Sequence, residues 1–144
     1  MQHPSQPAAH SAQHFSWPVR VYYEDTDSAG VVYYANYLRY FERARTEWLR
    51  AAGFEHHDLA VQHGVVFVVR TITVDYLMPA RLNDALDVSV ELVQVGASQI
   101  MLNQCAARAG ERLCEANVRI ACVSIAAMKP VRIPKIIVQK IRPA

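Results

Sequence analysis

The chain has 144 residues, a mass of 16.2 kDa and a formal net charge of +2, with apolar residues at 52 % and charged residues at 19 %. That length makes one domain, and the balance of apolar to charged residues excludes intrinsic disorder and coiled coil as the overall class. No apolar run approaches the ~18 residues of a membrane span. Residues 1–14 hold no Lys, no Arg and no apolar core of a leader, so no secretory signal is expected there.

In chain order, residues 1–14 are Gln, Ala, Ser, Pro and His without periodicity and are expected to form a disordered arm ahead of a single domain over 15–144. Trp17 to Tyr23 alternates as a strand, with Val19, Val21 and Tyr23 on one face. A polar turn from Glu24 to Gly30 follows. From Asn36 to Ala52 the apolar positions Tyr37, Phe41, Ala44, Trp48 and Ala51 recur at helical spacing, widened by Leu38 and Leu49, and Gly53 closes the helix. The segment with His56, His57, Asp58 and His63 matches no usual metal-ligand spacing and reads as surface loop. Four strand patterns come next: Val65–Tyr76, Leu86–Val95, Gln99–Arg108 and Leu113–Val123. The links between the last three are short, and a final Ile136–Ile141 segment reads as strand or helix. One long helix followed by antiparallel strands is α+β, not the alternating pattern of a doubly wound fold.

The charge is unevenly distributed. Residues 15–128 carry ten arginines against thirteen acidic residues, net −3, whereas 129–144 carries five basic residues and no acid, net +5. A basic tail on a mildly acidic body does not suit nucleic acid, whose footprint is a basic stripe over the folded surface. It suits a solvated terminus, a phosphate-bearing ligand, an acidic protein or an anionic membrane surface. Three cysteines (Cys105, Cys114, Cys122), an odd number without metal spacing, fit a reducing cytoplasm and read as core rather than nucleophile. Neither a G-x-S-x-G elbow nor a P-loop is present. The densest polar cluster is Glu24-Asp25-Thr26-Asp27, just before the helix. It is either a solvated turn that meets the positive end of the helix, or a carboxylate held beside free backbone N–H groups that can bind an oxyanion. Hydrolysis needs that second pairing.

The run Val21-Tyr22-Tyr23-Glu24-Asp25-Thr26-Asp27-Ser28-Ala29-Gly30-Val31-Val32-Tyr33-Tyr34-Ala35-Asn36-Tyr37 strongly resembles the 4-hydroxybenzoyl-CoA thioesterase family of hotdog proteins. The continuation Phe41-Glu42-Arg43-Ala44-Arg45-Thr46-Glu47 is similar to a subgroup of acyl-CoA thioesterases associated with the Tol–Pal gene cluster. Val66–Arg70, Pro79–Asp84 and Met128-Lys129-Pro130 fit the same subgroup, and the resemblance spans about residues 16–137. It implies a hotdog fold, a long helix wrapped by an antiparallel sheet of five or six strands. It also implies a homo-oligomer, either a dimer whose two sheets join or a dimer of such dimers (a homotetramer), with active sites at the subunit interface. Asp27 falls on the catalytic carboxylate and Tyr34 on the position whose backbone N–H polarises the thioester carbonyl. Gly30, Val31 and Tyr33 fall beside the substrate, and many subgroup members carry His where this chain has Tyr34.

The expected reaction is hydrolysis of an acyl-CoA, with Asp27 as nucleophile or general base and no metal or redox cofactor. Glu42, two helical turns after Tyr34, faces either the acyl pocket or an ion pair with Arg45. Arg70, Arg81, Lys129 and Arg132 are the candidate cations for the CoA phosphates. The alternative is a module that binds acyl carrier protein at the inner-membrane surface through its basic tail. Dehydration of a hydroxyacyl thioester ranks lower, because it needs a His that the segment before the helix lacks.

Overall fold

The computed structural model describes residues 14–142. The arm expected over 1–14 therefore lies outside the described residues except for His14, which opens the first strand. Among the described residues five strands form: β1 (His14–Arg20), β2 (Val65–Tyr76), β3 (Ala85–Val95), β4 (Gln99–Arg108) and β5 (Glu111–Ser124). They make one antiparallel sheet in the order β1-β3-β4-β5-β2, so β1 and β2 are its edges. The helices are α1 (Asn36–Ala51), α2 (His56–His63) and α3 (Lys135–Ile141). Among the described residues no helix is long and apolar enough to cross a membrane.

Helix α1 lies across β1, β3 and β4. It buries Tyr37, Tyr40, Phe41, Ala44, Trp48 and Leu49 against Val88, Val90, Ile100 and Leu102 of the central strands. Irregular register at Leu92/Gln94, Ala106/Ala107 and Val69/Thr71 gives the strands the extra bend that lets a sheet curl around a helix. Two members of the expected stripe are outside the core. Leu38 is 40 % exposed and Ala51 is exposed, because the sheet covers the Tyr40 side of the helix instead. The helix stops where Gly53 takes φ +100° and the Phe54 N–H reaches the Leu49 carbonyl at 2.9 Å.

Three elements differ from the pattern in the sequence. β1 ends at Arg20, three residues early. The Tyr22 N–H is taken by the Asp25 carboxylate at 2.8 Å, which turns the chain into a 3-10 turn at Tyr23–Asp25 and leaves Tyr23 82 % exposed rather than on the Val19–Val21 face. The histidine-rich segment is a helix, α2, anchored by one buried side chain, Leu59, with its histidines exposed. The last segment resolves as a helix, α3, because Ile137 and Ile141 are four apart and both buried.

Candidate active site

The chain between β1 and α1 folds back on itself. Asp27 donates its N–H to the Val31 carbonyl at 2.9 Å, and Gly30 returns its N–H to the Asp27 carbonyl at 3.0 Å. Gly30 sits at φ +80°, a left-handed conformation that favours glycine. One carboxylate oxygen of Asp27 accepts the Ala29 N–H at 2.8 Å; the other meets no protein donor among the described residues, and the side chain is exposed. This turn rests on a second loop. Val32 N–H reaches the Ala80 carbonyl at 2.8 Å, and Val31 pairs with Arg81. The second loop is held in turn by Asp84, which accepts the Arg81 N–H at 2.8 Å and pairs with Arg108 at 2.7 Å. Although burial works the other way, these contacts hold the Asp84 carboxyl below its ordinary value.

Asp25 ties the turn to the start of α1. It is buried, its carboxylate accepts the Tyr22 N–H and the Asn36 side-chain amide, each at 2.8 Å, and its carbonyl accepts the Tyr33 N–H at 2.9 Å. Burial raises its pKa, but the Tyr22 and Asn36 hydrogen bonds and the positive field of Arg43 outweigh that and hold it below the usual carboxylate range. The Tyr40 hydroxyl also faces this carboxylate. It is buried without a hydrogen bond of good geometry, and burial together with the Asp25 charge pushes its pKa upward.

Just beyond, the Tyr34 and Ala35 N–H groups meet no protein acceptor among the described residues. Ala35, the N-cap of α1, has no side chain to satisfy them. An uncapped helix start is the positive end of its dipole, with N–H groups open to an incoming oxygen. Around it stand aromatic rings. Tyr34 packs on Tyr33 with centroids 4.9 Å apart and meets the edge of Tyr76 at 6.1 Å, and Tyr76 meets Tyr37 at 5.7 Å. Tyr33, Tyr34, Tyr76, Leu77 and Met78 are all about half exposed, the kind of contiguous apolar surface that marks a ligand groove or an interface.

The candidate residues thus fall into groups. Asp27, Gly30, Val31, Tyr33, Tyr34 and Arg81 gather around the turn and the start of α1. Glu42 is exposed on the outer face of α1 in a groove with Arg39, Arg43 and Arg50, and Arg45 donates instead to Gln104 at 3.0 Å. Arg70 is exposed at the irregularity of β2. Lys129 follows β5, where Val123 pairs with Pro130. Arg132 lines a cavity of about 420 Å³ with Lys135 and Arg142, beside the β3–β4 turn. That turn is separated from the Asp27 turn by the 11 residues of β3, roughly 35 Å at strand rise. The cysteines are buried, and burial pushes the Cys114 thiol up to about 12. Among the described residues no group of three or more His, Cys, Asp or Glu is placed to hold a metal ion.

A helix wrapped by a curved antiparallel sheet, with a carboxylate turn before an uncapped helix start, defines the hotdog class of thioesterases. Residues 21–141 match the family model of the thioesterase-like superfamily, and the chain belongs to that family. The acyl-CoA thioesterase YbgC of Haemophilus influenzae is 48 % identical over 121 residues, which cover 84 % of this chain and 89 % of that protein. The crystal structure of a probable thioesterase from Bartonella henselae superposes with a TM-score of 0.81 at 34 % identity, over 84 % of this chain and 99 % of its own. A 4-hydroxybenzoyl CoA thioesterase complexed with 4-hydroxybenzoyl CoA shares the fold at 14 % identity, with a TM-score of 0.85 over 90 % of this chain and 99 % of its own.

Proposed function

We propose that this chain is an acyl-CoA thioester hydrolase in which Asp27 and the Tyr34 N–H act on the thioester carbonyl. The observation that carries the reading is the pair of unpartnered N–H groups at the uncapped start of α1, next to a turn whose carboxylate keeps one oxygen free. The thioester oxygen docks on the Tyr34 N–H, a donor worth ~3–4 kcal/mol once charge develops there. Asp27 then follows one of two routes. As nucleophile it adds to the carbonyl carbon, the C–S bond breaks, the thiolate leaves, and water hydrolyses the mixed anhydride. As general base it takes a proton from water while the oxygen adds to the carbon, and the thiolate leaves with that proton. CoA is a good leaving thiol in either case, so no strong acid is required.

The site is completed by a second copy. β2 is an edge strand of 12 residues with one unpaired side. Antiparallel pairing of β2 with its symmetry mate about Arg70 brings the Val65 end of one chain to the Tyr76 end of the other. The partner's Lys129 loop, which lies at the Val65 end, then approaches the Asp27 turn and supplies cations for the CoA phosphates that one chain alone keeps apart.

The carrier-binding alternative is favoured by a separate observation, the groove lined by Arg132, Lys135 and Arg142 with no acidic side chain among the described residues that line it, whose charge complements an acidic carrier protein. One experiment separates the two readings. Thiol release is followed from short, long and aromatic acyl-CoAs with wild type and Asp27→Asn side by side. Turnover by wild type and a loss of ~100-fold or more in Asp27→Asn, with the fold intact, are expected. A wild type inert on every substrate favours the carrier reading, and an Asp27→Asn variant as active as wild type removes Asp27 from the chemistry.

A further inference from the structure

The start of α1 has an irregularity that the hydrolase reading does not use. The Leu38 N–H bonds the Ala35 carbonyl at 3.1 Å, three residues back, rather than the Tyr34 carbonyl four back. The first turn is therefore tightened, and the Tyr34 carbonyl, one residue ahead of the N-cap Ala35, has no donor in the helix. Its partner comes from 42 residues away: the Tyr76 hydroxyl donates to the Tyr34 carbonyl at 3.1 Å. The Tyr76 ring is fixed on two sides, edge-on to Tyr34 and against Tyr37, while 48 % of the residue faces solvent. Asp25 holds the preceding residue, Tyr33, through its N–H. The two peptides flanking Tyr34 are thus each held at the carbonyl: that of Tyr33 accepts the Asn36 N–H at 2.8 Å, and that of Tyr34, in one plane with the Ala35 N–H, accepts the Tyr76 hydroxyl.

We infer that Tyr76 is a positioning residue for the donors at the head of α1: its hydroxyl, by holding the Tyr34 carbonyl, fixes the peptide that carries the Ala35 N–H, the second donor of the pair beside the Tyr34 N–H. The inference rests on the hydrolase reading and adds a link to assembly. Tyr76 is the last residue of β2, so the same strand that offers an edge to a second copy ends in the hydroxyl that sets the donor. Burial, with the neighbouring Cys114 and Tyr34, raises the Tyr76 pKa further above 10, so the hydroxyl keeps its proton and donates at every working pH.

Tyr76→Phe keeps the ring and removes only the hydroxyl. It is measured beside wild type and Asp27→Asn on acyl-CoAs of different chain length. The expected result is a kcat about five- to tenfold lower, the value of one hydrogen bond, by the same factor for every acyl group. KM is expected within about twofold of wild type, because ground-state binding is untouched, and the melting temperature within about 2 °C. An unchanged kcat overturns the inference. So does a loss confined to KM or varying with the acyl group, since the hydroxyl would then touch substrate, or a loss that tracks the melting temperature. The controls keep the two ideas apart: activity in wild type lost in Asp27→Asn upholds the hydrolase reading whatever Tyr76→Phe does.

Discussion

Tyr34 presents two groups with separate parts to play. Its N–H stands free at the head of α1, while its phenol ring, 62 % exposed, packs between Tyr33 and Tyr76. A neutral phenol donates a hydrogen bond more readily than it takes up a proton, and the backbone donor survives any side chain except proline. Tyr34→Phe is therefore expected to keep kcat within about twofold of wild type in a thiol-release assay; a tenfold loss would give the hydroxyl a direct share in the chemistry. Asp27 and Tyr34 enter the proposal only through a resemblance to a known family, since spacing alone does not separate an exposed turn carboxylate from a catalytic one. Asp25 and Tyr76 were not legible. Within the sequence Asp25 looks like one more acid in a crowded turn, and its distinguishing contact is an amide 11 residues on. Tyr76 reads as the polar end of a strand, and its partner is 42 residues back.

Among the elements, β2 and β4 run over the residues expected of them and α1 over all but its last, because each has one face or end that the core must cover. α2 did not show itself: an eight-residue helix held by a single buried leucine has no stripe to read. β1 shifted because a side chain, Asp25, competed for a strand N–H, which no apolar pattern reports. The β4–β5 hairpin holds a removable strain. It turns through Ala109 at φ +49° and Gly110 at φ +85°, both left-handed, in a two-residue loop where Asn-Gly is the favoured pair. An alanine there costs about 1 kcal/mol. Ala109→Asn is expected to raise the melting temperature by about 3 °C, read by calorimetry, with thiol release unchanged because the turn lies outside the segment between β1 and α1. No gain in melting temperature would mean that the turn relaxes without cost.

For the molecule as a whole, the sheet leaves β1 and β2 as edges, and beside the β2 edge Val69, Tyr76, Leu77 and Met78 are about half exposed. An unpaired edge of that length next to apolar side chains is a pairing surface in a stable protein. Light scattering at micromolar concentration is expected to give at least twice the 16.2 kDa chain mass; a monomer would remove the proposed route by which Lys129 reaches the Asp27 turn. The sheet order also sets the sequence in which the molecule takes shape. Only β3–β4 and β4–β5 are neighbours both in the chain and in the sheet, whereas β1 pairs with β3 across the span from His14 to Glu91 and β2 with β5 across that from Val65 to Ser124. Closing those long loops costs entropy before any contact repays it, so the β3–β4–β5 meander is the natural nucleus and both edges dock afterwards. During synthesis β1 must wait for β3 to emerge. The edge that ends in Tyr76 is among the last parts to be ordered, so the Tyr76–Tyr34 contact and the open β2 edge take shape in the same late step.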